Sequence, residues 1–327
     1  MTDKLNTLMD MLLDRARKAG ADAADGVVAG GFGQEVSVRL GEVESVERSE
    51  DHEIGLRVFV GKRNAMISSS RIDEDSINTL AERAVAMAKL APEDPFADLA
   101  EADLLARSIP AIDICDATEV SSDELRDDAL AAEEAARAIK GITNSEGGSA
   151  SSGRVDVMIA TSNGFSGGYQ RSSHGVSVMV LSEQDGTMER DYDYTSAVYR
   201  EDLKSPQEIG ISAAERTLQR LGATRPPTGS FPVIYDRRVS SSIAGHIASA
   251  INGAAIARGT SFLKDSMDSP IAADTITLVD DPLRPRGLGS SPFDGEGLAR
   301  QRRVMVENGV LKGWFLDLAS ARQLGLA

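Results

Sequence analysis

Between residues 36 and 60 apolar side chains alternate with polar ones, and nothing else in the chain narrows the fold as far. Val36, Val38 and Leu40 take every second position. Val43 and Val46 continue past Gly41-Glu42, and Ile54, Leu56, Val58 and Val60 resume the alternation. A period of two marks strands with one buried face. Turn residues at Gly41-Glu42 and at Gly61-Lys62-Arg63-Asn64 send such strands back on themselves, so the pattern predicts antiparallel hairpins.

A half-buried sheet needs a cover, and the chain supplies helices at matching intervals. Leu5, Leu8, Met9, Leu12, Leu13 and Ala16 recur at helical spacing before Gly20, which predicts an N-terminal helix. A second helix is expected over 74–90, with Ile77, Leu80, Ala81, Ala84, Val85 and Ala88 on one face and Pro92 and Pro95 beyond its end. Residues 92–120 are mixed and acidic and read as surface loop. A third helix fits 122–140, capped by Ser121 or Ser122 and stopped by Gly141. Residues 143–148 read as a turn. Strands follow at 155–161, 176–181 and 188–199, and a fourth helix at 206–221. Gly30-Gly31-Phe32-Gly33 lacks the Gly-Lys-Ser/Thr of a phosphate loop and reads as a hairpin turn between strands. Helix, strands, helices, strands, helix is the order of an α+β fold, with helices packed on an antiparallel sheet.

Residues 223–230, with two prolines and no apolar periodicity, read as a linker between an N-terminal domain (1–222) and a mostly β C-terminal domain (231–327) with one long helix. In the latter, 231–235 reads as a buried strand, and 275–279, 303–306 and 310–316 as further strands. Asn308-Gly309 makes the last hairpin turn.

The chain has 327 residues and a formal charge of −16, which argues against nucleic acid as a general partner, since such partners leave a basic footprint. The single cysteine, Cys115, allows no intramolecular disulfide, as suits a reducing cytoplasm. No stretch reaches the length of an apolar membrane span, and the N-terminal helix lacks the apolar core of a signal peptide.

The chemistry-bearing residues concentrate after the linker. The segment beginning Asp236 reads DRRVSSSIAGHIASAINGAAIARGTSF, followed by LVDDPLRPRGLGSSPFDGEG. It resembles the TldD/PmbA family of peptide-maturation proteins, in its PmbA (TldE) branch, and the resemblance runs along nearly the whole chain. In the TldD branch this helix carries a His-Glu-x-x-x-His zinc motif. Here the six corresponding residues are Ser241-Ser242-Ile243-Ala244-Gly245-His246. Hydrolytic zinc needs about three protein ligands plus a base for its water, and serine supplies neither. Residues five apart on an ideal helix lie about 140° apart, so such a motif needs a distorted helix, and Gly245 is where distortion would be tolerated. The resemblance also implies that about a hundred family residues follow the point where this chain stops, leaving a truncated C-terminal domain.

What the resemblance implies for function is a non-catalytic subunit of a TldD/TldE-type metallopeptidase complex that processes modified peptides and degrades unfolded polypeptides in the cytoplasm. No cofactor is expected in this chain, with zinc in a TldD-type paralogue. Expected partners are that paralogue or a second copy, and extended peptides, but neither nucleic acid nor membrane. Two rivals are an autonomous metallopeptidase and a homo-oligomeric peptide-binding scaffold. No catalytic or metal residue is assigned. The candidates for peptide contact or structure are His246, Asn252, Arg258, Thr260, Asp294 and Glu296. Asp294-Gly295-Glu296-Gly297 reads as a turn, since the calcium-loop spacing is absent. Glu189, Asp191 and Asp193 read as a solvated acidic face, and His52 and His174 as structural or exposed. A serine triad on the Ser240–Ser242 run would need an orienting carboxylate and an oxyanion hole, and neither is recognisable.

Overall fold

The computed structural model describes residues 2–326. The fold is α+β. Helix α1 (Thr2–Ala19) leads into three antiparallel strands, β1 (Ala23–Arg39), β2 (Glu42–Val60) and β3 (Arg63–Ser69). Helices α2 (Glu74–Leu90) and α3 (Ser122–Arg137) follow, then β4 (Asn144–Thr161), β5 (Ser166–Gln184) and β6 (Thr187–Ala197), a single 3-10 turn at Arg200–Asp202, and α4 (Pro206–Gln219). The six strands form one sheet in the order β3-β2-β1-β4-β5-β6, every pair antiparallel.

One face of this sheet carries the core. On β1 the even positions Ala24, Val28, Val36 and Val38 are buried. The first two pack under α1 and α2, and the last two under α3 and α4. Helix ends are fixed by the residues the sequence places there. Asp73 accepts from the Ser76 N–H at 2.9 Å, and Ser121 and Ser205 make reciprocal caps with Glu124 and Glu208. Glu133, fully buried in α3, accepts the N–H groups of Leu40 (2.7 Å) and Gly41 (2.8 Å) and so ties the β1–β2 turn to the helix layer.

Several expectations are corrected. Gly30-Gly31-Phe32-Gly33 is not a turn but the middle of β1, paired on both sides. Residues 144–148 are not a turn either. They begin β4, and the pairing shifts register between Ser145 and Gly147, which has φ 113°; the glycine serves a β-bulge. Residues 231–235 form no strand, and Phe231, Val233, Ile234 and Tyr235 are exposed. Their composition suits a strand, but no neighbour among the described residues offers them a ladder. The acidic face of β6 is not simply solvated. Asp191 is buried and paired with Arg238 (2.7 Å) and Arg220 (3.6 Å), and Arg220 also reaches Glu189 (3.3 Å).

After residue 230 the chain forms α5 (Arg237–Ala250), α6 (Gly253–Ala257), a small sheet of β7 (Leu278–Asp280), β8 (Arg303–Glu307) and β9 (Val310–Leu311), and α7 (Leu318–Leu324). Strands β7 and β9 are shorter than their apolar runs suggested, while β8 covers the expected 303–306 and one residue more. Asn308 (φ 48°) and Gly309 (φ 80°) make the expected hairpin turn. The Gly-rich stretch around 282–300 packs on the sheet face that the helices leave open. Phe293 is buried there against Phe165 and Tyr169, with ring centroids 5.0 and 5.5 Å away. Arg286 stacks 3.9 Å over Tyr199 and pairs with Asp113, Glu201 and Asp202.

Candidate functional site

Helix α5 begins at Asp236, whose carboxylate accepts the Arg238 N–H at 2.9 Å. Its start is held on β6 by Arg238, which pairs with Asp191 and lies 4.5 Å over the Tyr192 ring. Its last turn is held by Ala250 and Ile251, in a core with Leu263, Met305, Val306 and Leu311. Between these anchors the helix is open to solvent, and Ser241, Ser242 and His246 are exposed. The Ser242 hydroxyl donates back to the Val239 carbonyl at 2.6 Å. The helix runs unbroken through Gly245, so the distortion a five-residue metal spacing requires is not present. Among the described residues no three His, Cys, Asp or Glu side chains gather to hold a metal ion. These positions do not fit zinc: one imidazole stands on an exposed face with two hydroxyls.

The other candidates fall into two groups. Asn252 caps α6, accepting from Ala254 (3.1 Å) and Ala255 (3.4 Å), and the Thr260 hydroxyl donates to the Ala255 carbonyl (3.2 Å). Arg258 closes α6 and is exposed. Asp294 accepts the N–H groups of Glu296 and Leu298, both at 2.9 Å, so it forms the expected turn. Glu296 lies at the open sheet face, takes the Leu318 N–H at 3.1 Å and sits 3.9 Å from Arg57, which is paired with buried Asp25 at 2.9 Å. Burial pushes the Glu296 carboxyl up despite Leu318 and Arg57, and burial likewise raises Asp25 despite Arg57. Helix α7 joins these two groups, since Ser320 abuts Gly253 while Leu318 bonds Glu296. No hydrogen bond or ion pair ties His246 to either group among the described residues.

Sequence reading missed two features. The first is a trough of about 440 Å³ on the open sheet face, floored by the glycines of β1 and by Gly153. The glycine run inside a strand was its signal, masked by its likeness to a turn. The second is His174, buried on β5, with Nε2 3.5 Å from Asp116 and neither ring nitrogen hydrogen-bonded. Burial holds its pKa down, against the pull of Asp116. A Gly-x-Ser-x-Gly string does occur at 164–168. It turns β4 into β5 rather than leading a strand into a helix, so Ser166 is not presented as a nucleophile.

Three family descriptions match the chain in tandem: PmbA/TldA metallopeptidase domain 1 over 24–88, the central domain over 115–221 and the C-terminal domain over 228–327. "Metalloprotease PmbA" of Escherichia coli O157:H7 is 38% identical over 94% of this chain and 68% of its own length. The chain belongs to the PmbA/TldD family. A "Metalloprotease PmbA homolog" of Haemophilus influenzae is 33% identical over 99% of this chain and 72% of its own. Among solved structures, a Bacteroides thetaiotaomicron protein named only as a candidate modulator of DNA gyrase superposes with a TM-score of 0.93 at 26% identity. That likeness covers 99% of this chain and 75% of that one. The PmbA/TldD membership and the α+β architecture therefore agree with the sequence resemblance.

Proposed function

We propose that this PmbA-type chain is the subunit without a metal centre in a TldD/PmbA peptidase assembly. It contributes architecture and peptide contact, while a TldD-type paralogue with the intact His-Glu-x-x-x-His motif contributes zinc and hydrolysis. The observation that carries this reading is the helix α5: Ser241 and Ser242 replace the ligand and the base, and His246 stands exposed without a second donor. Exposed Phe231, Val233, Ile234 and Tyr235, just before α5 in sequence, and exposed Val239 and Ile243 on it support association with another chain, a paralogue or a second copy, because exposed apolar side chains gathered in one segment suit a contact surface. Modified peptides and unfolded polypeptides are the substrates this reading assigns to the assembly, and the cytoplasm its location. No helix among the described residues is long and apolar enough to cross a membrane.

The test is elemental analysis and peptidase assay of the chain alone and with a TldD-type paralogue. The expected result is no stoichiometric zinc and no cleavage alone, and chelator-sensitive cleavage with the partner. About one zinc per chain, lost on His246→Ala, together with chelator-sensitive cleavage by the isolated chain, would establish the autonomous metallopeptidase instead.

A further inference from the structure

Residues 112–118 lie as a strap along the edge of β5, past the point where β6 ends. Ala197, the last residue of β6, pairs with His174, and the Ser172 N–H donates instead to the Ile114 carbonyl at 3.2 Å. The Ser172 hydroxyl accepts the Asp116 N–H at 2.7 Å and donates to the Val198 carbonyl at 2.8 Å. Asp116 in turn accepts the Thr118 N–H on Oδ1 at 2.9 Å and the Arg200 N–H on Oδ2 at 3.0 Å. The other end of the strap is held by Arg286. The Asp113 carbonyl accepts the Arg286 N–H at 2.6 Å, and the Asp113 carboxylate lies 3.4 Å from Arg286 Nε. The Tyr199 hydroxyl bonds that carboxylate and lies 3.1 Å from the Cys115 carbonyl. One strap thus ties β5, the turn after β6 and the Gly-rich stretch into a single joint.

His174 is the discordant member of this joint. Its side chain is 3% exposed, and neither ring nitrogen has a hydrogen-bond partner among the described residues. Nε2 stops 3.5 Å from Asp116 Oδ2, an oxygen already taken by Arg200. The neighbouring strands set Ser152 of β4 and Ala197 of β6 opposite it, so they bring no charge. Burial disfavours the cation. Asp116 favours it, and Arg200, which α3 holds through Glu124 (2.7 Å) and Asp128 (2.9 Å), opposes it. A neutral imidazole has one N–H to satisfy and an imidazolium two. In the closed joint neither finds an acceptor, whereas water would serve both.

Of the groups whose titration the joint perturbs, only His174 changes charge close to neutrality. Against burial, hydrogen bonds from Thr118 and Arg200 hold Asp116 low, and those from Ser121 and Arg200 hold Glu124 at about 2. Burial raises the Cys115 thiol, and the bond to Asp113 pushes the Tyr199 hydroxyl up to about 12. We propose that residues 112–118 form a latch that protonation of His174 releases, loosening with it the Arg286 clamp on the Gly-rich stretch. The latch stands apart from the zinc reading above and needs no partner chain. Lifting the strap returns the imidazole to its ordinary value of about 6.5, above its value in the closed joint. Opening is therefore unassisted well above that pH and is favoured as pH falls below it, until the closed value is reached.

The experiment is hydrogen exchange of the full chain at about pH 7.5 and about pH 5.5, with rates corrected for the pH dependence of free amides. The amides of Asp116, Ser172, Arg200 and Arg286 each bond across the joint. Their opening should increase by up to about tenfold at the lower pH. At both pH values they should exchange faster than the amides of β1, because the latch opens without the sheet. The amides of Gly287 and Ser290 should share the pH effect and lose it in Arg286→Met. In His174→Phe, which keeps a buried ring and takes no proton, the effect should vanish throughout. Opening that is equal at the two pH values, or smaller at the lower one as an ion pair with Asp116 would give, would overturn the proposal. So would an equal pH effect in His174→Phe, or exchange of the joint only together with β1. Should His174→Phe fail to fold, His174→Gln decides by the same criterion.

Discussion

Replacing Arg238 by methionine should undock the start of α5 from the sheet while leaving the sheet folded. Arg238 holds Asp191 at 2.7 Å, donates to the Tyr192 carbonyl and covers the Tyr192 ring at 4.5 Å. Its side chain is 19% exposed and that of Asp191 8%, so the pair lies close to the buried limit, where removing one partner costs about 3–5 kcal/mol. Arg220 remains 3.6 Å from Asp191 and recovers part of that, while the lost cation–π contact adds about 0.5–1 kcal/mol. A local cost of about 2–4 kcal/mol follows, and at 1.36 kcal/mol per tenfold the lower figure is about thirtyfold. Hydrogen exchange should therefore speed up by about thirtyfold or more in the amides of 237–246, with β1, β4 and β5 unchanged. Adding Asp191→Asn should restore part of the protection, because the stranded charge is gone. Burial pulls the Asp191 carboxyl up, but hydrogen bonds from Arg238 and the Tyr192 N–H and the charges of Arg238 and Arg220 outweigh it and hold the group low. A depressed folded pKa gives stability that is complete above the unfolded value of about 3.9 and lost as pH falls through the folded one. The acid-side loss of α5 docking should accordingly shrink in Arg238→Met. Unchanged exchange in α5, or acceleration spread evenly over the sheet, would refute this account of how the helix is held.

Two further outcomes follow from the sheet. Gly31→Ala should destabilise the chain by about 1–3 kcal/mol, the cost of overpacking, because its methyl meets a backbone carbonyl; chemical denaturation measures this. Burial lowers the pKa of His174 in the folded chain, so the unfolded chain binds its proton more readily. Stability from this site is complete above about pH 6.5 and declines as pH falls below it toward the lowered folded pKa. His174→Gln should flatten the stability profile in that window, read from urea midpoints at pH 7.5 and below.

The helices were legible because each carries its own evidence. The apolar stripe of 74–90 with Asp73 before it gives α2 with the bounds the pattern predicts, since capping and periodicity act within a few residues. The same locality explains the hairpin turns at Gly41 and Gly309, both with positive φ. The degenerate motif was also plain from residue identity alone, because no fold makes a serine into an imidazole. Glycine was the misleading letter. In Gly30–Gly33 and Gly147 it looked like turn chemistry, whereas the structure runs the first through the middle of a strand, with Gly31 against a neighbouring backbone carbonyl, and sets Gly147 where a ladder slips by one residue. Strand composition at 231–235 failed for the opposite reason: a strand is made by its neighbours, and those residues have no strand partner among the described residues. Which side chains meet is a matter of register between strands far apart in sequence. Asp51 of β2 and Arg171 of β5 became the ends of one row across the sheet, and Asp191 a buried anchor instead of a solvated acid, only because tertiary pairing set these elements side by side.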